Sequence, residues 1–118
     1  MLLNLSNHFT DTWPPEQIAA AKAQFGSIAD LAFPHIDPTA TTAEVKKIAR
    51  YYAGEIAATK EIKAVHLMGE MTFVVAVANG LKRRKMPVFC STTKRTVLEE
   101  QEGKKTTQFE FVQFREYV

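Results

Sequence analysis

Short apolar runs alternate with segments of helical period along most of the chain. Met1 to Leu5 reads as a first strand, closed by the polar Ser6-Asn7-His8. Pro14 and Pro15 suit a helix start, because a first-turn proline forfeits no hydrogen bond. Ile18, Ala21 and Phe25 keep helical spacing, with Gly26 as the residue that ends the helix. Ile28 to Phe33 reads as a second strand ending at Pro34. Thr41 followed by Glu44 has capping-box spacing, and Val45, Ile48, Ala49, Tyr52 and Ile56 give the helix behind it one apolar stripe. Ile62 to Met68 reads as a third strand and Pro87 to Cys90 as a fourth. Between them, Thr72, Phe73, Val74, Val75 and Val77 favour a strand by propensity. A helix is expected over Gly69 to Lys85 nonetheless. Parallel strands need a crossover, and Lys82, Arg83, Arg84 and Lys85 suit a helix C-terminus.

After Cys90 the pattern changes. Thr93 to Glu99 and Thr106 to Phe114 read as antiparallel strands joined around Glu102-Gly103, with Phe109 and Phe111 on one face and Val112 and Phe114 on the other. Apolar residues on both faces imply cover on both sides, which a partner subunit would supply. The expected fold is α/β: a Rossmann-like, mainly parallel sheet flanked by helices, with a C-terminal β-hairpin. At 118 residues the chain fits one domain, 1–118, with the hairpin 93–114 at a dimer interface.

Composition narrows the function. The net charge of +2 argues against a surface that coats long nucleic acid, which needs many unpaired cations, yet leaves room for a compact anion in a pocket. Cys90 is the single cysteine, so no internal disulfide and no cysteine-based zinc site are expected, and a reducing, cytoplasmic setting fits. The N-terminus lacks a basic n-region, and the longest apolar stretch, Met71 to Ala78, is short of the roughly 20 residues a membrane helix needs. No membrane association is expected.

In parallel α/β sheets, ligands bind beyond the strand carboxyl ends. Four loops would meet there: Ser6-Asn7-His8, Pro34 to Pro38, Gly69-Glu70-Met71-Thr72, and Ser91-Thr92-Thr93-Lys94-Arg95. Ser6 and Asn7 would otherwise be turn residues, and Glu70 a helix-dipole partner. Gly69 would let a phosphate or sugar approach the third helix. The run from Ser91 to Arg95 sets hydroxyls and two cations behind a strand, which suits phosphate recognition; its plainer reading is a polar turn into the hairpin. His8 would be a general base, a phosphate donor or an exposed loop histidine. His35 reads as a loop histidine, His66 as a satisfied core histidine, and Trp13 as an anchor for the first helix. The three histidines lack metal-ligand spacing, so neither a metal nor another cofactor is expected. No GxGxxG, Walker or GxSxG motif is present.

The stretches LNLSNH at Leu3 to His8, HLMGEMTF at His66 to Phe73, STTKR at Ser91 to Arg95 and the FVQFREY ending resemble a family of small CRISPR-associated proteins of type III systems, similar to the CARF-like ring nucleases. The resemblance covers nearly the whole chain. It implies a dimeric Rossmann-like protein that binds cyclic oligoadenylate and linearises it, switching off the antiviral signal. It also implies that Ser6, Asn7 and His8 form a ligand loop after the first strand. Gly69, Glu70 and Thr72 would form the loop leading into the third helix, and Thr93, Lys94 and Arg95 the loop after the fourth strand.

Chemistry then assigns roles. His8 handles a proton while Arg95 or Lys94 stabilises charge on phosphoryl oxygens; Ser6, Asn7, Gly69, Glu70, Thr72, Ser91, Thr92 and Thr93 contact the ligand. Because a ribose 2′-hydroxyl sits beside every phosphate, cleavage needs in-line positioning and no metal. The alternatives are a binder of the same ring without cleavage, and a dimerisation module whose polar loops are only turns.

Overall fold

The computed structural model describes residues 1–99, 103 and 105–118. These form, in order, β1 (Leu2–Ser6), a short 3-10 turn (Thr10–Thr12), α1 (Pro15–Phe25), β2 (Ile28–Asp30), α2 (Thr42–Ala58), β3 (Ala64–Met68), α3 (Met71–Arg83), β4 (Val88–Glu99) and β5 (Lys105–Glu116). The described strands make one sheet in the order β2-β1-β3-β4-β5, parallel up to β4 and antiparallel between β4 and β5. The α/β, Rossmann-like expectation holds. So does the helix in place of a strand at α3.

Alternation along the strands decides which helix covers which face. Leu3, Leu5, Val65, Leu67 and Val88 point to one side, where they meet Val45, Ala49, Ala53 and Ile56 of α2 and Phe73, Val74, Val77, Ala78 and Leu81 of α3. The α3 set recurs at helical spacing, and burying each large side chain contributes roughly 1.5–3 kcal/mol. Leu2 and Ala64 point to the other side, where Trp13, Ala21 and Phe114 cover them. Asn4, Ser6 and His66 belong by alternation to that second face, and all three are buried.

Local signals account for the helix ends. Pro15 opens α1, and Gly26, at φ +87°, closes it with its N–H on the Lys22 carbonyl at 3.0 Å. Thr41 caps α2 as expected, with the Glu44 N–H donating to Thr41 Oγ1, while the Glu44 carboxylate accepts from the Thr41 hydroxyl, both at 3.2 Å.

Four expectations need correction. β2 stops at Asp30 instead of running to Phe33, because its one partner, β1, pairs with it only through Leu2, Leu3 and Asn4. Phe33 turns inward against Phe73, with ring centroids 5.1 Å apart. β3 begins at Ala64 rather than Ile62. The run Ser91 to Arg95 is not a loop. It lies within β4, which leaves β3 after Phe89 and continues paired with β5 alone.

Finally, the two faces of the hairpin are not both apolar. Thr92 pairs with Gln113 but Thr93 pairs with Phe111, so Val112 is an extra residue in a β-bulge, 56% exposed. The bulge brings Phe111 onto the same side as Phe114, with ring centroids 5.0 Å apart, and leaves the opposite side to Thr92, Lys94, Thr96, Gln108, Glu110 and Gln113, with Leu98 as its apolar exception. Glu102 of the expected turn lies outside the described residues. Gly103 has φ +75°, the left-handed conformation that glycine takes at least cost.

Candidate functional site

The strand order 2-1-3 sets a topological switch point between β1 and β3, where crossovers leave for opposite faces and a crevice opens at the carboxyl ends. A cavity of about 540 Å³ lies there. Ser6, Asn7 and His8 approach it from the end of β1, Met68 and Gly69 from the end of β3, and Trp13, Pro14 and Gln17 from the start of α1. Its outer wall is the β4–β5 arm, through Ser91, Thr93, Phe109 and Phe111.

Beneath the cavity runs a hydrogen-bonded chain of polar groups in which Asn4, Ser6 and His66 are buried. Asn4 Nδ2 donates to Asp30 Oδ1 and to the His8 carbonyl, each at 2.8 Å. Both partners are acceptors, which fixes the amide orientation. Asn4 Oδ1 therefore faces Ser6 Oγ at 2.7 Å and His66 Nδ1 at 2.9 Å. An amide oxygen has no proton to give, so Nδ1 carries the imidazole hydrogen and Nε2 is a bare acceptor. Nε2 stands 3.2 Å from Ser91 Oγ. Burial pulls the His66 pKa down from 6.5 to about 4, which keeps the ring neutral. Burial alone would raise the Asp30 carboxyl, but hydrogen bonds from Asn4 and Thr10 outweigh it and hold the group below its ordinary value.

The His8 carbonyl is also approached by Trp13 Nε1 at 3.2 Å and Ser6 Oγ at 3.0 Å, so the Ser6-Asn7-His8 turn is held from below while the exposed His8 side chain borders the cavity. Trp13 meets the His66 ring edge-on at 4.9 Å. It thus anchors the start of α1, as the sequence implies, and also lines the cavity.

Not every expected residue converges. Ser6, Asn7, His8, Gly69, Ser91 and Thr93 line the cavity; Glu70, Thr72, Thr92, Lys94 and Arg95 are not among its lining residues. Glu70 caps α3, accepting from the Phe73 N–H at 2.8 Å, the Thr72 N–H at 3.1 Å and the Thr72 hydroxyl. The Thr72 hydroxyl and then the Phe73 N–H hold its carboxyl below the ordinary range. The first turn of α3 is thus already occupied by a carboxylate. A Cβ placed on Gly69 would collide with the Phe33 ring, so the space beside this glycine belongs to Phe33. Thr92 donates to the Gln113 carbonyl across the arm. Arg95 stands opposite Phe109, on the cavity side of the arm one step beyond Thr93, whereas Lys94 stands opposite Glu110 on the other side.

The site residues missed in sequence include the lining residues Trp13, His66, Met68, Phe109 and Phe111, with Asn4 beneath them. Asn4 and His66 are 62 positions apart and meet only through strand register. A second cavity, between α2 and α3 on the far side of the sheet, gathers Lys46, Arg50, Arg83 and Arg84, cations that separate helical patterns leave scattered. Among the described residues no three His, Cys, Asp or Glu side chains come together as a metal site, and no helix is long and apolar enough to cross a membrane.

The family model for the uncharacterized protein MJ1673 family matches residues 1–115. The chain belongs to that family. The matched span contains every cavity-lining residue and all of the β4–β5 arm but Glu116, so the site lies wholly within the matched residues. No curated protein and no solved structure matches the chain.

Proposed function

We propose that the chain binds cyclic oligoadenylate, with the tetra-adenylate as the expected ring, and linearises it by attack of a ribose 2′-hydroxyl, switching off type III CRISPR signalling. One observation carries this: the switch-point cavity combines aromatic rings (Trp13, Phe109, Phe111) with hydroxyl and amide groups (Ser6, Asn7, Ser91, Thr93). Rings offer stacking surfaces for bases and the small polar groups offer hydrogen bonds to sugar and phosphate. Its volume suits one small ligand, so a ring of several nucleotides spans two such cavities across a two-fold axis. A homodimer follows from this reading.

In the reaction, O2′ forms a bond to the adjacent phosphorus and the bond from phosphorus to O5′ breaks. The 2′ proton is taken up and O5′ is protonated; His8, exposed at the rim, is the residue for one of these transfers. Arg95, on the cavity side of the arm, answers the charge on the phosphoryl oxygens; Lys94, on the arm's other side, takes no part at this cavity. The products are a 2′,3′-cyclic phosphate and a 5′-hydroxyl.

The second reading is a binder that holds the ring without cutting it. It is favoured by the absence of Lys and Arg from the cavity lining among the described residues. Radiolabelled cyclic tetra-adenylate incubated with the protein in EDTA separates the two. Linear product over repeated turnovers is expected, slowed at least about tenfold in both His8→Ala and Arg95→Ala, on the scale of losing one proton-transfer or charge-stabilising group. Retained, intact ring assigns the chain to binding alone; full activity in both variants removes their roles.

A further inference from the structure

Deepening that reading and resting on it, we infer that Ser91, held by His66 and Asn4, is the group that recognises a ribose 2′-hydroxyl, making the cavity selective for ribo- over deoxyribonucleotide rings. Asp30 and the His8 carbonyl fix the Asn4 amide, Asn4 Oδ1 fixes the proton on His66 Nδ1, and the lone pair on Nε2 is left facing Ser91. A serine hydroxyl has one proton. Two acceptors compete for it, His66 Nε2 at 3.2 Å and Met68 Sδ at 3.1 Å, and imidazole nitrogen is much the stronger acceptor than a thioether. Met68 Sδ also receives the Ser91 backbone N–H at 3.4 Å. The Ser91 hydroxyl proton is therefore turned inward and its lone pairs outward.

Such a group accepts and does not donate. It repels a phosphate oxygen, which is itself an acceptor, and it welcomes a hydroxyl. Adenine offers a donor too, but the arm separates the two. Phe111 lies opposite Thr93 and Phe109 opposite Arg95, so the exposed aromatic wall begins two residues, about 7 Å, beyond Ser91. In the binding mode inferred, a base stacked on that wall sets its ribose over Ser91, and the deoxyribose ring, which keeps the amino group, tells the two donors apart. A 2′-hydroxyl that donates to Ser91 keeps its oxygen lone pairs free for the neighbouring phosphorus. The rings around His66 are the indole of Trp13 and the phenyl of Phe114, and its two hydrogen-bond partners are the neutral Asn4 and Ser91, so the acceptor stays an acceptor near neutral pH.

The test is rapid-mixing binding, read before turnover by the fluorescence of Trp13, the chain's single tryptophan and a lining residue. The probes are cyclic tetra-adenylate and the same ring with 2′-deoxyribose throughout. The wild type is expected to bind the ribose ring about tenfold more tightly or better, as one or two neutral hydrogen bonds allow. Ser91→Ala brings the ratio close to one by weakening the ribose ring alone, and Ser91→Thr, which keeps the hydroxyl, restores it. His66→Phe lowers the ratio, costing the ribose ring more affinity than the deoxyribose ring; a merely structural role would weaken both rings equally. Should His66→Phe fail to fold, the two Ser91 variants decide.

Equal affinity of the wild type for both rings overturns the inference and leaves ring binding standing. An undiminished preference in Ser91→Ala overturns it as well. Failure to bind either ring sinks the proposed function, and this inference with it.

Discussion

Asn4 meets four groups with two side-chain atoms: Asp30 on β2, the His8 carbonyl beyond β1, Ser6 two residues on, and His66 on β3. It is 1% exposed and His66 is 2% exposed, so neither can turn to water if the other is lost. This burial has a consequence for pH. His66 titrates near 4 in the folded protein and near 6.5 when unfolded, so between those values the unfolded chain binds the proton first. The stability it contributes is fully present above pH 6.5 and is lost as pH falls toward 4, a total of about 3 kcal/mol at the usual exchange between pKa and free energy. Asp30, Asp37 and Glu70 are held below their ordinary values, so their losses come lower on the scale and leave this window to His66. Urea denaturation at about pH 7 and about pH 5 is expected to show a clear drop in the wild type and a flatter response in His66→Phe. Equal slopes in the two proteins would remove His66 as the source. Sequence identifies His66 as a satisfied core histidine, and it is one. What the sequence hides is that its two partners are Asn4 and Ser91, because partners 62 and 25 positions away are chosen by register.

The loop after β2 and the turn after β3 are locked together by one contact between elements. Phe33, just past the end of β2, fills the space beside Gly69, and its ring meets Phe73 of α3 edge-on at 5.1 Å. Gly69→Ala therefore forces Phe33 out, at a cost of roughly 1–3 kcal/mol, typical of overpacking. In a Phe33→Ala background the space is free, and the same substitution is expected to cost about 1 kcal/mol less or better, the coupling a double-mutant cycle in urea measures. Identical costs in both backgrounds would show that backbone conformation alone demands glycine at 69.

Elements whose apolar residues face a core were legible from sequence for the same reason that this contact exists. The stripe of α2 and the spacing of Phe73, Val74, Val77, Ala78 and Leu81 in α3 both record burial against the sheet. Thr93 to Glu99 was legible as a hairpin strand, but its unbroken continuation from Val88 was not, because Ser91 to Arg95 covers no core and so carries no alternation of apolar and polar residues. Ser91-Thr92-Thr93-Lys94-Arg95 therefore read as a polar loop between two strands, although its threonines favour a strand by propensity. The bulge at Val112 was invisible for a related reason: an inserted residue changes faces without changing composition.

At the scale of the whole molecule, the extents of 52 × 38 × 25 Å record how far the β4–β5 arm reaches past the sheet. A two-stranded ribbon is marginal in water by itself. This one carries Phe109, 68% exposed, on the side that walls the cavity. The proposed function gives that exposed ring a purpose and also fixes a stoichiometry. Each chain offers a cavity of about 540 Å³, in the range that encloses one small ligand, whereas a four-nucleotide ring has repeated bases, sugars and phosphates around a symmetric perimeter. A two-fold arrangement lets identical cavities take equivalent nucleotides, so every contact at Ser91, Thr93 and Phe111 is made twice. Titration calorimetry with cyclic tetra-adenylate is expected to saturate at one ring per two chains. Light scattering of the complex is expected at twice the 13.3 kDa chain mass. Phe109→Ser removes stacking surface from both halves at once, so its penalty on ring affinity should approach the square of the roughly fivefold or greater loss that one stacked base brings. One ring bound per chain at the mass of a single chain would rule out the shared arrangement, and with it the requirement that two copies of this cavity act on one ligand.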